Sequence, residues 1–193
     1  MSGWVRECDA AWEATPRIGD WILTFTGVEF WPIDPRPDEI RIEDIAHALS
    51  MQCRFSGHCS QFYSVAEHSL RVAELVPEKD KLYALLHDAS EAYLVDLPRP
   101  IKRHTAIGAH YRIAEESLMA AISWKFGLPP EPFTVGAADK AMLCIEARDL
   151  LPNNSWWEKW SGFLKGTERP IGKTMDPREA ESDFLKLFER LTR

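Results

Sequence analysis

The sequence lacks several features that would place the chain in a specialised class of protein. No apolar run approaches the roughly 20 residues that a membrane-spanning helix needs. Residues 1–10 carry acids and lack the apolar segment of a secretory signal. The net charge is −7, with 23 Lys and Arg against 30 Asp and Glu, which leaves no broad basic surface for long nucleic acid. These absences predict a cytoplasmic protein that engages neither membranes nor long nucleic acids.

Cysteine is also scarce. The four cysteines are Cys8, Cys53, Cys59 and Cys144, and none of them forms a C-x-x-C pair. Cys53 and Cys59 lie on either side of His58, an arrangement that could suggest zinc. Small, half-buried thiols in a reducing compartment are the favoured interpretation, and a disulfide framework is not expected.

The composition is that of one globular domain with a sizeable core: 45% of the 193 residues are hydrophobic and 27% are charged. An aromatic, β-favouring stretch over about residues 20–32 predicts a short hairpin around a central glycine. Apolar residues at helical spacing then predict helices from residue 42 to about 53, and over residues 64–77, 78–89, 105–127, 136–151 and 177–192. We therefore predict an all-α, compact helical bundle with a small N-terminal β-hairpin.

Local signals mark where some of these elements begin and end. Ser64 and Glu67 form an S-x-x-E capping box, in which each side chain is expected to satisfy an N–H group of the first turn. Residues 96–102 contain two prolines and are predicted to form a stiff loop. Residues 153–166 are rich in tryptophan and are predicted to be irregular, with no role assigned.

Two histidines and several carboxylates carry the chemical information. His68 shares a helix face with apolar residues and so points inward, and Asp139 and Glu146 share a face with leucines on a later helix. Each residue alone could be a core histidine, a helix cap or half of a structural ion pair. Burying an ionised carboxylate is costly unless it is paired or bound to a metal. Two imidazoles (His68 and His87) and two carboxylates (Asp88 and Asp139), all on helices and directed inward, therefore predict a mixed nitrogen and oxygen site for a divalent cation.

The order of these residues resembles that of a known family. A histidine within VAEHS, a later adjacent His–Asp pair and a distant aspartate resemble the H…HD…D signature of the HD-domain phosphohydrolase superfamily. The run HDASEAYLVDLPRPIK is similar to the branch that contains bacterial 5′-deoxynucleotidases and a phage enzyme that dephosphorylates dATP. The similarity covers about residues 40–150 and implies a single HD-type domain over residues 1–193. The hairpin and a C-terminal helical tail over about residues 153–193 lie outside the shared core.

The resemblance also implies roles for individual residues. The metal ligands would be His68, His87, Asp88 and Asp139. The carboxylates that assist the attacking water would be Glu91 and Asp96. The nucleotide would be bound by Arg54, Phe55 and Lys102. Phe55 stands where the related nucleotidases carry a tryptophan, and a phenyl ring can still stack on the sugar or base.

The implied activity is hydrolysis of small nucleotides. One divalent ion (Mn, Co, Zn, Fe or Mg) would help to release phosphate or polyphosphate from deoxynucleoside 5′-mono- or triphosphates. A homodimer or higher homo-oligomer is expected on the same resemblance. The alternatives are an alarmone-type nucleotide hydrolase and a non-catalytic, metal-stabilised binding domain. A multi-metal enzyme that cleaves cyclic dinucleotides is disfavoured, because the sequence has only 6 histidines and no HHE-like cluster.

Overall fold

The computed structural model describes residues 16–152, 162 and 169–193, and most of these residues lie in helices. Strands β1 (Ile22–Leu23) and β2 (Glu29–Phe30) come first. The α-helices that follow are α1 (Ile42–Met51), α2 (Val65–Leu75), α3 (Lys81–Leu86), α4 (Glu91–Leu94), α5 (Arg99–His104), α6 (Ala106–Phe126), α7 (Phe133–Leu150) and α8 (Pro177–Thr192). The predicted all-α bundle with a small N-terminal hairpin is confirmed.

The hairpin is antiparallel and is attached to α1. Ile22 pairs with Phe30, and the turn passes through Gly27, whose φ of +80° suits a residue without a side chain. The buried carboxylate of Asp44 accepts hydrogen bonds from the backbone N–H of Thr26 at 2.7 Å and from its hydroxyl at 2.9 Å. One aspartate of α1 therefore fixes the position of the hairpin on the bundle.

Helix α2 begins at a capping box in which only one of the two expected hydrogen bonds forms. The Ser64 hydroxyl accepts a hydrogen bond from the Glu67 backbone N–H at 3.0 Å, as predicted. The buried Glu67 carboxylate accepts instead from the Arg71 guanidinium at 2.7 Å and from the Met175 backbone N–H at 2.9 Å. One carboxylate oxygen of Glu67 binds Arg71 on the same helix, and the other binds the backbone of Met175. Glu67 thus attaches the segment before α8 to α2.

The main apolar core lies between α1, α2, α3, α6 and α8, with Phe30 of the hairpin packed into it. Leu85 and Leu86 at the end of α3 are fully buried in this core, as is Phe184 of α8. Burial of Leu85 and Leu86 holds the end of α3 in place, and His87 and Asp88 follow directly. The core therefore positions the His–Asp pair.

The prediction that residues 96–102 form a loop is wrong in its second half. Helix α5 begins at Arg99, with Pro100 in its first turn. Proline is tolerated there because the first N–H groups of a helix have no intrahelical acceptor. Thr105 separates α5 from α6, and its hydroxyl donates to the Ile101 carbonyl at 2.8 Å and accepts from the Gly108 N–H at 3.0 Å. The two helices therefore form a tight helical hairpin.

The remaining helix ends follow ordinary signals. Gly127 ends α6 in the left-handed conformation, with φ of +64°. Helix α7 begins at Phe133, three residues before the predicted start at residue 136, directly after Pro132. Of the Trp-rich residues 153–166, all but Gly162 lie outside the described residues, so the prediction of irregular structure there stays a prediction. None of the helices in residues 16–152 and 169–193 is long and apolar enough to cross a membrane.

Candidate metal centre

Two imidazoles face each other between α2 and the end of α3. The ring centroids of His68 and His87 are 5.3 Å apart. His68 is fully buried, and the side chain of His87 is 11% exposed. Within the part of the chain that the structure describes, Nε2 of each ring is buried and has no hydrogen-bond partner. Burying two ring nitrogens without a hydrogen-bond partner in one place carries a desolvation cost that a bound ligand would offset.

The other nitrogen of each ring is engaged. Nδ1 of His68 lies 2.5 Å from Oε1 of Glu146, and Nδ1 of His87 lies 2.7 Å from the carbonyl oxygen of Ala84. A carboxylate and a carbonyl only accept hydrogen bonds, so Nδ1 carries the proton in both rings. A ring that carries its proton on Nδ1 alone presents the lone pair of Nε2 to a ligand, as metal-binding histidines do.

Two carboxylates approach these lone pairs. Oδ1 of Asp139 lies 3.3 Å from Nε2 of His68 and 4.0 Å from Nε2 of His87. The ligand atoms of His68, His87 and Asp139 all lie within 4.8 Å of one another, so these three residues could hold a metal ion. Oδ2 of Asp88 lies 3.7 Å from Nε2 of His68 and 3.3 Å from Nε2 of His87. Asp88 approaches both imidazoles but does not belong to the mutually close group of three.

The electrostatics of the cluster favour positive charge between these groups. Burial opposes protonation of His87, but the Asp88 carboxylate, with help from Asp139, raises its pKa to about 9. Burial opposes ionisation of Asp88 and Asp139, yet the neighbouring imidazoles hold the pKa of both carboxyls below the usual range. The pKa of His68 is also raised, because Glu146 and Asp139 outweigh burial and the nearby Arg54. The negative potential of these carboxylates stabilises a positive charge between them, whether a proton or a metal cation carries it.

Arg54 joins the cluster from the loop that precedes α2. Its Nε and Nη2 lie 3.2 and 3.0 Å from Oε2 of Glu146, and its Nη1 lies 3.7 Å from Oδ2 of Asp88. Glu146 is fully buried, and Arg54 and His68 hold its pKa below the usual range although burial alone would raise it. One edge of the guanidinium is thus bound to Glu146, and the remaining nitrogen faces the cluster.

Phe55 occupies a strained turn. Phe55, Ser56 and Gly57 have successive φ values of +54°, +53° and +79°. Such backbone costs about 1–3 kcal/mol for each residue with a side chain, and residues of this kind concentrate at functional sites. The Phe55 ring is half-buried, and its centroid lies 5.5 Å from Cζ of Arg54. The turn therefore keeps an aromatic ring beside the guanidinium.

Glu91 and Asp96 are placed by α4 and the turn after it. Glu91 is 7% exposed, and its Oε2 has no hydrogen-bond partner within residues 16–152 and 169–193. Burial raises the pKa of Glu91 well above its usual range, and the carboxylates of Asp88 and Asp96 raise it further. Val95, directly before Asp96, has a φ of +65°, which is unusual for a β-branched residue. Three predicted site carboxylates therefore influence one another electrostatically.

Lys102 lies on α5, next to the same turn. Its Nζ is 2.5 Å from Oε1 of Glu115 and 5.4 Å from the centroid of the Tyr111 ring. The Tyr111 hydroxyl donates to the Val95 carbonyl oxygen at 2.5 Å. Lys102 is therefore paired with Glu115, and its predicted contact with substrate stays a prediction.

Comparison with known proteins places the chain in a family. No protein-family model matches the chain. The chain is 42% identical over 173 residues to the uncharacterized protein YfdR of Escherichia coli strain K12, a match that covers 89% of this chain and 95% of YfdR. The chain belongs to the YfdR family. An uncharacterized protein of Rhodobacter capsulatus, RCAP_rcc00048, is 40% identical over 144 residues, or 67% of this chain and 72% of that protein.

Glu146 is the member of the cluster that was not assigned a role from the sequence. Its position seven residues after Asp139 predicts that it lies on the inward face of α7. The sequence did not reveal that His68 of α2 and Arg54 of the preceding loop both contact the Glu146 carboxylate. The match to YfdR covers 89% of this chain and leaves out only residues near its ends. The span from Arg54 to Glu146 therefore lies within the matched region.

Proposed function

We propose that this member of the YfdR family is a metal-dependent phosphohydrolase of the HD-domain superfamily that acts on deoxynucleoside 5′-phosphates. The observation that carries the proposal is the pair of buried Nε2 atoms on His68 and His87. Both atoms are without a hydrogen-bond partner in the described part of the chain, and both face carboxylates. The resemblance of the sequence to that superfamily supports the class of reaction and the class of substrate.

The donors fit a divalent metal ion. His68, His87, Asp88 and Asp139 would hold it, since the two Nε2 atoms have no hydrogen-bond partner in the described residues and both carboxylates lie within 4.0 Å of them. Imidazole and carboxylate together accept Mn²⁺, Co²⁺, Zn²⁺, Fe²⁺ or Mg²⁺ with modest preference. When bound, such an ion supplies Lewis acidity toward water and toward a phosphate oxygen.

Glu91 is placed to manage the proton of the attacking water. Its Oε2 is buried and has no partner in residues 16–152 and 169–193, so it can accept a hydrogen bond from water. Its raised pKa makes the ionised carboxylate a ready proton acceptor. Asp96 lies close enough to influence that pKa and would orient the same water. The water oxygen would form a new bond to phosphorus while the bond from phosphorus to the leaving oxygen breaks. The water proton would pass to Glu91, and the leaving oxygen would take up a proton from solvent.

Arg54 and Phe55 would bind the nucleotide. Two nitrogens of Arg54 are occupied by Glu146, which leaves Nη1 to donate to a phosphate oxygen beside Asp88. The half-buried ring of Phe55 would stack on the sugar or base. Lys102 would need to leave Glu115 to reach a phosphate, so its contribution is secondary.

A product-release assay tests this proposal. Purified protein would be given deoxy- and ribonucleoside mono-, di- and triphosphates, with and without Mn²⁺, Co²⁺, Zn²⁺ or Mg²⁺, and free phosphate and polyphosphate would be measured. We expect metal-dependent turnover of a deoxynucleotide, and the released product distinguishes mono- from triphosphate hydrolysis.

Histidine variants provide the matched comparison. His87→Ala should abolish metal retention and turnover. His110→Ala should change neither, because His110 also engages a backbone carbonyl through Nδ1 but is exposed on α6. Full turnover in His87→Ala, or no turnover of any nucleotide by metal-containing wild-type protein, would contradict the proposed function.

A further inference from the structure

The buried Glu146 carboxylate joins two groups that the proposed function assigns to different tasks. Its Oε1 lies 2.5 Å from Nδ1 of His68, a proposed metal ligand. Its Oε2 lies 3.0 Å from Nη2 and 3.2 Å from Nε of Arg54, the proposed phosphate ligand. One oxygen of this fully buried carboxylate therefore contacts a proposed metal ligand, and the other contacts the proposed phosphate ligand.

These contacts belong to a closed ring of charged and polar groups. Glu146 contacts Arg54, Arg54 Nη1 lies 3.7 Å from Oδ2 of Asp88, and the same oxygen lies 3.7 Å from Nε2 of His68, which returns to Glu146. A ring of this kind fixes each member from two sides. A shift of the imidazole must therefore move the carboxylate and, with it, the guanidinium.

We propose that Glu146 is a positioning residue that couples the metal-binding half of the site to its phosphate-binding half. The inference rests on the proposed function for the meaning of the two halves. Glu146 keeps the proton of His68 on Nδ1, so that Nε2 stays available to the ion. The same carboxylate keeps the guanidinium of Arg54 turned with Nη1 toward the cluster.

The test uses Glu146→Gln in the full-length protein. Glutamine has nearly the same size but only one acceptor oxygen, so its amide N–H₂ group must face either the His68 N–H or the Arg54 guanidinium, both of which are donors. Loss of such an orienting partner typically weakens metal binding by about 10–100-fold. We expect calorimetric titration with Mn²⁺ to show a Kd raised by about 10–100-fold, together with a raised KM for the nucleotide. Glu146→Asp, which keeps both oxygens, should recover part of both.

Glu67→Gln is the matched control. Glu67 is also fully buried and also pairs with an arginine, since its Oε1 lies 2.7 Å from Nη2 of Arg71, but its partners lie outside the cluster. If loss of any buried carboxylate–arginine pair were enough, Glu67→Gln would weaken Mn²⁺ binding as much as Glu146→Gln, and that result would overturn the inference. We expect the Mn²⁺ affinity of Glu67→Gln to match that of the wild type.

A second readout needs neither a variant nor turnover. In wild-type protein loaded with Zn²⁺, ¹H–¹⁵N NMR of the imidazoles should show an exchange-protected proton on Nδ1 of His68. A proton on Nε2 would overturn the inference even if the variants failed to fold. Failure of the proposed function is distinguishable: wild-type protein that binds no metal would remove both claims, whereas wild-type metal affinity in Glu146→Gln would remove only the role of Glu146.

Discussion

Oδ1 of Asp139 lies 3.3 Å from Nε2 of His68, and the two side chains differ sharply in exposure. The imidazole is fully buried, whereas the side chain of Asp139 is 41% exposed. The cluster is therefore accessible to solvent at Asp139, whereas His68 and Glu146 lie in its closed interior. An ion or a substrate would reach the buried imidazoles past Asp139.

The stability of the metal-free protein should depend on pH through His87. Its pKa in the fold, about 9, exceeds its ordinary value of 6.5, so the protonated ring stabilises the fold fully below pH 6.5. That contribution is lost as the pH rises through about 9, and each kcal/mol lost lowers the Tm by about 2–4 °C in a chain of this size. Thermal scans after removal of metal by a chelator should show the Tm falling between pH 6.5 and 9.

Binding of a divalent ion should weaken this pH dependence, because the ion replaces the proton on Nε2. The proton released on binding can be measured by calorimetry in buffers of different ionisation enthalpy. His110→Ala should behave as the wild type. A metal-free protein whose Tm stayed level from pH 6.5 to 9 would show that His87 is not held protonated by Asp88.

Glu91→Gln should separate catalysis from binding. Burial raises the pKa of the Glu91 carboxyl, and glutamine offers an uncharged group of the same shape, so the replacement should leave the Tm of the metal-free protein nearly unchanged. Removal of a group that accepts the proton typically costs about 10²–10⁴-fold in rate. We expect kcat to fall by about that factor while the affinity for Mn²⁺ is retained. Glu116→Gln, an exposed position on α6, should leave kcat unchanged. A large loss of Mn²⁺ affinity in Glu91→Gln would instead make Glu91 a metal ligand.

The fold and the cluster were predictable from the sequence to different degrees. Helical periodicity identified the main helices, and the inward faces of α2 and α7 identified His68 and Asp139. The onset of α5 was missed because two prolines suggest a loop, although a proline in a first helical turn removes no hydrogen bond. The positive φ values at Phe55 and Val95 could not be foreseen, because nothing in either residue type favours that backbone and only the surrounding packing can enforce it.

The strained turn allows the ring of Phe55 to be tested separately from its backbone. Ser56→Gly removes one strained φ and no ring, so it should stabilise the protein by about 1 kcal/mol and leave KM unchanged. Phe55→Gly relieves the neighbouring φ in the same way but also removes the ring beside Arg54. We expect KM for the nucleotide to rise about 10-fold in Phe55→Gly, as the loss of one stacking contact of 1–3 kcal/mol implies. Equal KM values in the two variants would show that the ring does not contact the nucleotide.

Gly108 should be essential to the packing of α5 against α6. A Cβ atom built at Gly108 would lie 2.3 Å from the backbone carbonyl oxygens of both Ile101 and Lys102, and neither can move without disrupting α5. Gly108→Ala should therefore destabilise the protein by about 1–3 kcal/mol and, if Lys102 assists phosphate binding, raise KM.

Gly136→Ala on α7 is the matched control, because the nearest atom to its Cβ is a side-chain oxygen at 3.4 Å. In a helix interior, that replacement should be neutral or stabilising by up to about 1 kcal/mol. Urea unfolding of the two variants compares them directly, and a Gly108→Ala protein as stable as the wild type would show that α5 is not packed this closely against α6.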